Sequence, residues 1–556
     1  MQSRAGLSLS RTEPSRFAAH RPWPGYRLRQ MDAMLQNLQE IERSREAYWL
    51  RYPATSPTRL RWRANAARHA LHIAPREAVL ELGAGSGVWT EHLTAVLGEA
   101  SPITAAVFNA DLAEAARARH MAATDVVTVS EESRLELETY DYVVGTAMLS
   151  HDRWRENLAW IVRLLKPGGQ LLFLEANYWN PQVFAKAHSR RLARWSRNAE
   201  CQIALRESEV HRAARSEGLE DVVVVPYDIL HPRTPRRLVP AVQSTAFVLE
   251  HLPGIRELCG TLFICASKPG RTSMERPRAD LARHTALRDA ISVVVPCHNE
   301  AMNIPRLVHA LTATYDSYIH EIVLVNDNSA DDTAAVARKL GEQDSRVRLV
   351  DRSPPPGVGR ALRDGYAATT GKYILSMDCD FEMLVPELQD LFDVIADGHE
   401  GAIGSRFSHE SVLLNYPASK LLGNRAFHLV VRLLLRRRLR DISNNLKLYR
   451  GEILREMNIT QDGFAANAET GLRPLLEGRD IKEVPIAWIN RSSDMGVSTF
   501  RVARVAPGYA IALARMLGER REKGVRHPKR RSAGGADQAT SPQTESGEDE
   551  VSWSAH

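Results

Sequence analysis

Two apolar runs in this chain end abruptly in residues that the interior of a buried strand does not accommodate. The first, Val79-Leu80-Glu81-Leu82, runs into Gly83-Ala84-Gly85-Ser86-Gly87. The second, Tyr373–Met377, runs into Asp378-Cys379-Asp380. Each lies in its own alternation of strand-like and helix-like segments. Each therefore predicts a mostly parallel sheet with helices on both faces and a ligand crevice at the strand ends. At 556 residues the chain exceeds one hydrophobic core, so the two patterns read as two α/β domains in series.

The first pattern gives strands at Ala78–Leu82, Ile103–Phe108, Asp125–Val129, Tyr142–Gly145, Gln170–Glu175, Asp221–Val225 and Leu262–Ala266. The second gives Ile291–Pro296, Glu321–Val325, Val347–Val350, Tyr373–Met377, Gly401–Gly404 and Ile481–Trp488. Met31, Met34, Leu35, Leu38 and Ile41 have helical spacing and predict a lead-in helix over 31–50. The expected organisation is a disordered basic leader over 1–30, a first domain over 31–268, a linker over 269–288 and a second domain over 289–523. A disordered tail over 524–556 follows, rich in Ser, Gly and Gln.

Composition narrows the class. The chain is 44% hydrophobic and 25% charged, as globular proteins are, and its net charge of +6 does not imply a nucleic-acid partner. Cys201, Cys259, Cys265, Cys297 and Cys379 show no C-x-x-C spacing, so reduced core cysteines are expected rather than disulfides or zinc. No apolar run is long enough to span a bilayer. Arg4, Arg11, Arg16, Arg21, Arg27 and Arg29 face one acid, Glu13, with no apolar region behind them, which argues against a secretory signal. A cytoplasmic protein is expected.

In the first half, glycines at 83, 85 and 87 let a backbone turn tightly and pass close to a ligand. Tyr140–Gly145 reads as a later strand, and Leu165-Lys166-Pro167-Gly168-Gly169 as a turn into Gln170–Glu175. This set resembles class I S-adenosylmethionine-dependent methyltransferases over roughly residues 76–268. The resemblance implies that Glu81, Gly83, Gly85 and Gly87 line the methionine and ribose end of S-adenosylmethionine. It also implies an acid at the end of the second strand to hold the ribose hydroxyls. Val107 stands there, with Asn109 or Asp111 as the nearby substitute. Two readings stay open: an active methyltransferase, or a non-catalytic binding module.

In the second half, four polar clusters each follow an apolar strand: Pro296-Cys297-His298-Asn299-Glu300, Asn326-Asp327-Asn328-Ser329, Gly357-Val358-Gly359-Arg360 and Asp378-Cys379-Asp380. In a parallel sheet such ends converge on one crevice. Carboxylates at i and i+2 of an extended segment point to one side, and hard oxygens of that kind suit Mg²⁺ or Mn²⁺. The ordered series resembles family 2 glycosyltransferases of the GT-A fold, nearest to the dolichol-phosphate (polyprenyl-phosphate) sugar transferases, over roughly residues 290–505.

The resemblance implies a nucleotide-diphospho-sugar donor bordered by Pro296, Asn299 and Glu300, with Asp327 at the base or ribose and Asp378 and Asp380 at the metal. It implies Arg406 near phosphate, Arg491 in a further phosphate loop (where Thr499 replaces the family lysine), and a polyprenyl phosphate or related glycan acceptor. Glu469 is the candidate base if that acceptor is a hydroxyl; a phosphate needs none. Residues 425–440 hold six arginines around Phe427, Leu429, Val430, Leu433, Leu434 and Leu435. That segment reads either as an amphipathic helix in peripheral contact with a membrane's cytoplasmic face or as a core helix with a basic outer side.

Overall fold

The structure is a computed structural model. It describes residues 28–522, apart from 74–75, 99–100, 131–134, 189–202, 253, 271–281, 409–410, 415, 437–438 and 490–501. The leader, the tail and most of the linker named above lie outside the described residues.

The chain forms two seven-stranded sheets. The first contains β1 (Val79–Leu82), β2 (Ile103–Val107), β3 (Thr124–Thr128), β4 (Tyr140–Thr146), β5 (Leu165–Ala176), β6 (Glu220–Tyr227) and β7 (Thr261–Ser267). Their order is β3-β2-β1-β4-β5-β7-β6, parallel except for β7, which runs antiparallel to β5 and β6. All seven were expected. The supposed turn at 165–169 belongs to β5 itself, whose pairing with β4 shifts register between Tyr140 and Tyr142.

The second sheet contains β8 (Ile291–Cys297), β9 (Ile319–Asn326), β10 (Val347–Asp351), β11 (Tyr373–Ser376), β12 (Gly401–Ser405), β14 (Lys447–Arg450) and β15 (Ile481–Pro485). Its order is β10-β9-β8-β11-β14-β12-β15, with β14 antiparallel to both neighbours. Central strands such as Ile291–Cys297 are apolar but for Ser292, whose hydroxyl donates to Glu321, because helices cover both faces. The single strand expected over 481–488 is two: β15 joins the main sheet, and β16 (Ala487–Ile489) pairs in parallel with β13 (Val412–Leu414).

Helices α1 (Leu28–Arg51) and α2 (Ser56–Leu71) precede the first sheet. α2 joins the two halves. Leu60, Ala64, Ala67 and Leu71 share one buried cluster with Val79, Ile103 and Leu172 of the first sheet and with Val412 and Ala487 of the second half. Around this seam Arg68 pairs with Asp390, and His69 Nδ1 lies 3.0 Å from the buried carboxylate of Glu387.

Candidate functional site

The strand order of the second sheet reverses at β8, whose neighbours β9 and β11 leave in opposite directions. The crevice at this switch point is part of a groove of about 2330 Å³ that also runs along the seam with the first half, past Glu77, Asp141 and Lys268. Pro296, His298, Asn299, Glu300, Asp327, Asp331, Asp378, Asp380 and Arg406 all line it, so all but two of the expected site residues of this half meet there.

The loops after β8 and β9 are stitched together. Asn299, at φ +60°, donates its N–H to Ser329 Oγ at 3.0 Å and accepts from Ala330 N at 2.8 Å. Glu300 N donates to Thr333 Oγ1 at 2.8 Å. Asp327 is buried and serves the same scaffold: it accepts from Gly357 N at 2.7 Å and pairs with Arg352. Each oxygen of its carboxylate has a protein partner, and the residue lines the groove where a base or ribose contact was expected of it.

Asp378 and Asp380 sit at the head of the groove. β11 ends at Ser376, and the pair lies on a turn closed by Phe381 N to Asp378 O at 3.2 Å, not on the extended segment inferred from their spacing. Burial raises the pKa of Asp378 above the usual carboxylate range. Burial, then the charges of Asp378 and Glu300, push Asp380 up to about 7. Glu300 is raised too, first by burial and then, among its charged neighbours, by Asp378. Three carboxylates that repel one another in a low-dielectric crevice form a site short of positive charge. Hard oxygens in that state fit a divalent cation. Among the described residues no group of three or more His, Cys, Asp or Glu is placed to hold a metal ion, so Asp378, Asp380 and Glu300 would not enclose a cation by themselves.

Asn445, just ahead of β14, was not singled out in the sequence. Its Nδ2 donates to Asp378 Oδ1 at 2.7 Å, while its Oδ1 accepts from Ser376 Oγ at 2.8 Å. Ser376 in turn lies 2.9 Å from the buried hydroxyl of Tyr366. This relay fixes the orientation of one aspartate from the sheet interior.

Arg406 follows β12 and is held by Asp441 through Nε (2.7 Å) and Nη2 (3.0 Å). Phe407, Tyr416 and Trp488 surround the guanidinium, with ring centroids at 5.4, 5.9 and 5.9 Å. The clamp aims it at the groove and leaves further N–H donors for a ligand. Glu469 is different. It is 0% exposed, accepts from Thr460 N, Thr460 Oγ1 and Gln461 N at 2.8, 2.6 and 2.8 Å, and does not line the groove. With both oxygens spent on holding a loop, it cannot serve as the general base expected of it. Arg491 lies outside the described residues.

Beyond Arg406 the groove turns apolar between α3 (Ala418–Leu435) and α4 (Val502–Glu522). Phe427 and Tyr509 meet at 5.1 Å, and Val430, Leu434, Leu513 and Leu517 continue the wall. α3 has a buried side and an exposed one. Leu421, His428, Val431 and Leu435 are buried, whereas Leu429 and Leu433 are 55% and 69% exposed beside the basic residues. No helix among the described residues is long and apolar enough to cross a membrane.

The first sheet has a matching switch point at β1, between β2 and β4. Gly83, Gly85 and Gly87 adopt φ of +69°, +60° and +79°, as the tight turn requires. The cleft they border is filled by α1. Glu42, 0% exposed, accepts from Gly85 N, Phe108 N, Asn109 N and Asn109 Nδ2 at 3.0, 3.0, 3.0 and 2.7 Å. Burial raises its pKa, opposed by Arg45 and these donors. Arg45 donates to Thr146 O at 3.0 Å and to Gly83 O, and Ser86 is bonded to Glu46. Glu81 is fully buried behind the turn, and burial pushes its pKa up to about 7. In this conformation the cleft does not fit S-adenosylmethionine, because the backbone donors and the space beside the glycines are already used.

Known proteins agree with this division. A methyltransferase domain family model matches residues 56–224, and glycosyl transferase family 2 matches residues 292–457. The chain is a methyltransferase domain joined to a family 2 glycosyltransferase. Its glycosyltransferase half is 29% identical over 222 residues to the polyprenol monophosphomannose synthase of Mycolicibacterium smegmatis, covering 37% of this chain and 79% of that protein. It is 27% identical over 212 residues to the dolichyl-phosphate hexose transferase of Haloferax volcanii, covering 38% and 88%. Similarity to glycosyltransferase AglD of the same organism is 27% over 226 residues, 39% of this chain but only 35% of that protein. The second sheet is thus the α/β sheet expected of this half, with its acidic pair at the switch point.

Proposed function

We propose that the second half transfers a sugar from a nucleoside diphosphate sugar to a polyprenyl phosphate, with Mg²⁺ or Mn²⁺ at Asp378 and Asp380. The observation that carries this is one continuous groove: buried, mutually repelling carboxylates at its head, a clamped arginine at its middle and an apolar channel at its far end. The cation would supply charge neutralisation of the leaving diphosphate. Asn445 and Ser376 hold Asp378 in place for it, and Arg406 faces an acceptor or donor phosphate. Glu469 being committed elsewhere favours a phosphate acceptor, which is already ionised, over a glycan hydroxyl. The relatives named for polyprenol and dolichyl phosphates support the same choice. The exposed leucines of α3 beside arginines suit peripheral contact with an anionic membrane. The border between the halves is placed over 269–288.

The test is a screen of nucleotide sugars against a short polyprenyl phosphate with and without Mn²⁺. Product that needs the metal and disappears in Asp380→Asn supports the assignment; metal-independent transfer, or transfer only to soluble glycans, sinks it.

A second reading concerns the methyltransferase half. Methylation of the same glycan is one role for it. The filled cleft favours the other, a non-catalytic module that supports the transferase.

A further inference from the structure

Backbone N–H groups at the end of β1 and β2 are the natural docking points of a doubly wound sheet, because nothing in the sheet itself satisfies them. Here one helix of the same chain satisfies four of them. Gly85, Phe108 and Asn109 donate to Glu42, and Ser86 donates to Glu46 at 3.4 Å from its backbone N–H. Arg45 caps the opposite polarity at the carbonyls of Gly83 and Thr146.

The glycines show the same occupancy in space. A Cβ at Gly85 would meet Glu46 Oε2 at 2.8 Å and Arg45 Nη2 at 3.3 Å; one at Gly83 would meet Met148 Sδ first, at 2.5 Å, and then Arg45 Nη1 at 3.2 Å. The room that glycine leaves at position 85 is taken by side chains of α1, and at position 83 it is shared between Met148 and Arg45. Apolar anchors hold the helix down: Met34, Leu35, Leu38 and Ile41 belong to the same buried cluster as Leu80, Leu82 and Phe108. Glu42 also brings a carboxylate to the end of β2, where Val107 cannot provide one.

We propose that α1 is the occupant of the methyltransferase cleft, and that α1 and an adenosyl-amino-acid ligand exclude each other. This deepens the second reading of the first half: the cleft is closed by its own chain rather than by decay of its glycine turn. Glu42, Arg45 and Glu46 make the polar contacts, and the four apolar anchors set how tightly the helix stays. A ligand then binds with an affinity reduced by the population of the closed state.

The test uses the full chain with S-adenosylmethionine as probe, followed by titration calorimetry and by hydrogen exchange over residues 34–51. In the Glu42→Ala/Glu46→Ala variant the expected gain in affinity is roughly ten- to a hundredfold, the effect of losing one or two charge-assisted contacts. In the wild-type chain, either no binding with α1 protected, or binding accompanied by faster exchange in α1, agrees with exclusion. Wild-type binding with α1 still protected overturns both the proposal and the non-catalytic reading. A variant whose α1 exchanges freely but which still fails to bind overturns exclusion alone and leaves the non-catalytic module standing. The wild-type exchange measurement keeps the proposal testable if the variant does not fold.

Discussion

Glu387 offers the sharpest test of how the two halves are held together. Its Oε1 faces His69 Nδ1 at 3.0 Å and His72 Nδ1 at 3.5 Å, and its Oε2 accepts from Ala487 N at 2.9 Å. Burial alone would raise its pKa, but His69 and His72 outweigh burial and hold it down at about 2, from 4.5. A folded-state pKa depressed by that much corresponds to about 3 kcal/mol. The sign is fixed: the stabilisation is present above pH 4.5 and is lost as pH falls through 4.5 toward 2. Glu387→Gln keeps the shape and the acceptor for Ala487 N while removing the charge. At pH 7 it should lower the transition that includes α2 by roughly 5–10 °C. It should also speed hydrogen exchange over Ser56–Leu71. The gap between variant and wild type should narrow below pH 4.5. A variant that melts with the wild type at pH 7, or a gap that stays constant down to pH 3, would refute the reasoning.

Four further outcomes are expected. Asp378→Asn should cut metal-dependent donor turnover by more than about a hundredfold with the circular dichroism spectrum unchanged, since it removes a carboxylate that would hold the cation. Asn445→Ala strips Asp378 of its donor; it should raise the Mn²⁺ concentration for half-maximal activity by about tenfold, with rescue at high metal. Arg406→Lys breaks the two-point contact with buried Asp441 and should destabilise the second half by about 2–4 kcal/mol in urea unfolding. Leu429→Glu/Leu433→Glu should abolish co-sedimentation with anionic vesicles while leaving transfer to a short, water-soluble polyprenyl phosphate within about twofold.

The strands were legible wherever a central position demanded apolar residues on both faces, as in Val79–Leu82 and Ile291–Cys297. β14 was not, because it opens on Lys447. That ammonium is fully buried, donates to Asn467 O and Thr470 Oγ1 at 2.8 Å each, and burial pushes its pKa down to about 7. A strand whose charge is neutralised by tertiary partners carries no periodic signal. The acidic pair at 378 and 380 was legible by chemistry, although the local geometry is a turn. Glu469 was misjudged because sequence shows an acid but not whether its oxygens are spent. The reverse happened with α1: helical spacing announced it, but Glu42, Arg45 and Glu46 resemble a solvated face until β1 and β2 present bare N–H groups to them.

The fusion itself has a physical reason in this arrangement. β13 and β16 form a two-stranded sheet, too small to be stable alone in water. It packs on α2, with Val412 and Ala487 inside the core of the methyltransferase half. β16 carries Trp488, whose ring lies 5.9 Å from Arg406, and β13 leads toward Tyr416, which lies at the same distance from the guanidinium and meets Trp488 edge-on at 6.3 Å. The first half therefore supports the part of the groove around Arg406, whether or not it ever transfers a methyl group. On this argument, polar substitution of Leu60 or Ala64 in α2, remote from the aspartates, should loosen the aromatic cage around Arg406. It should weaken acceptor use before it weakens donor binding. Equal losses in both would mean that α2 acts only on global stability, and that the strand pair holds its shape without the methyltransferase half.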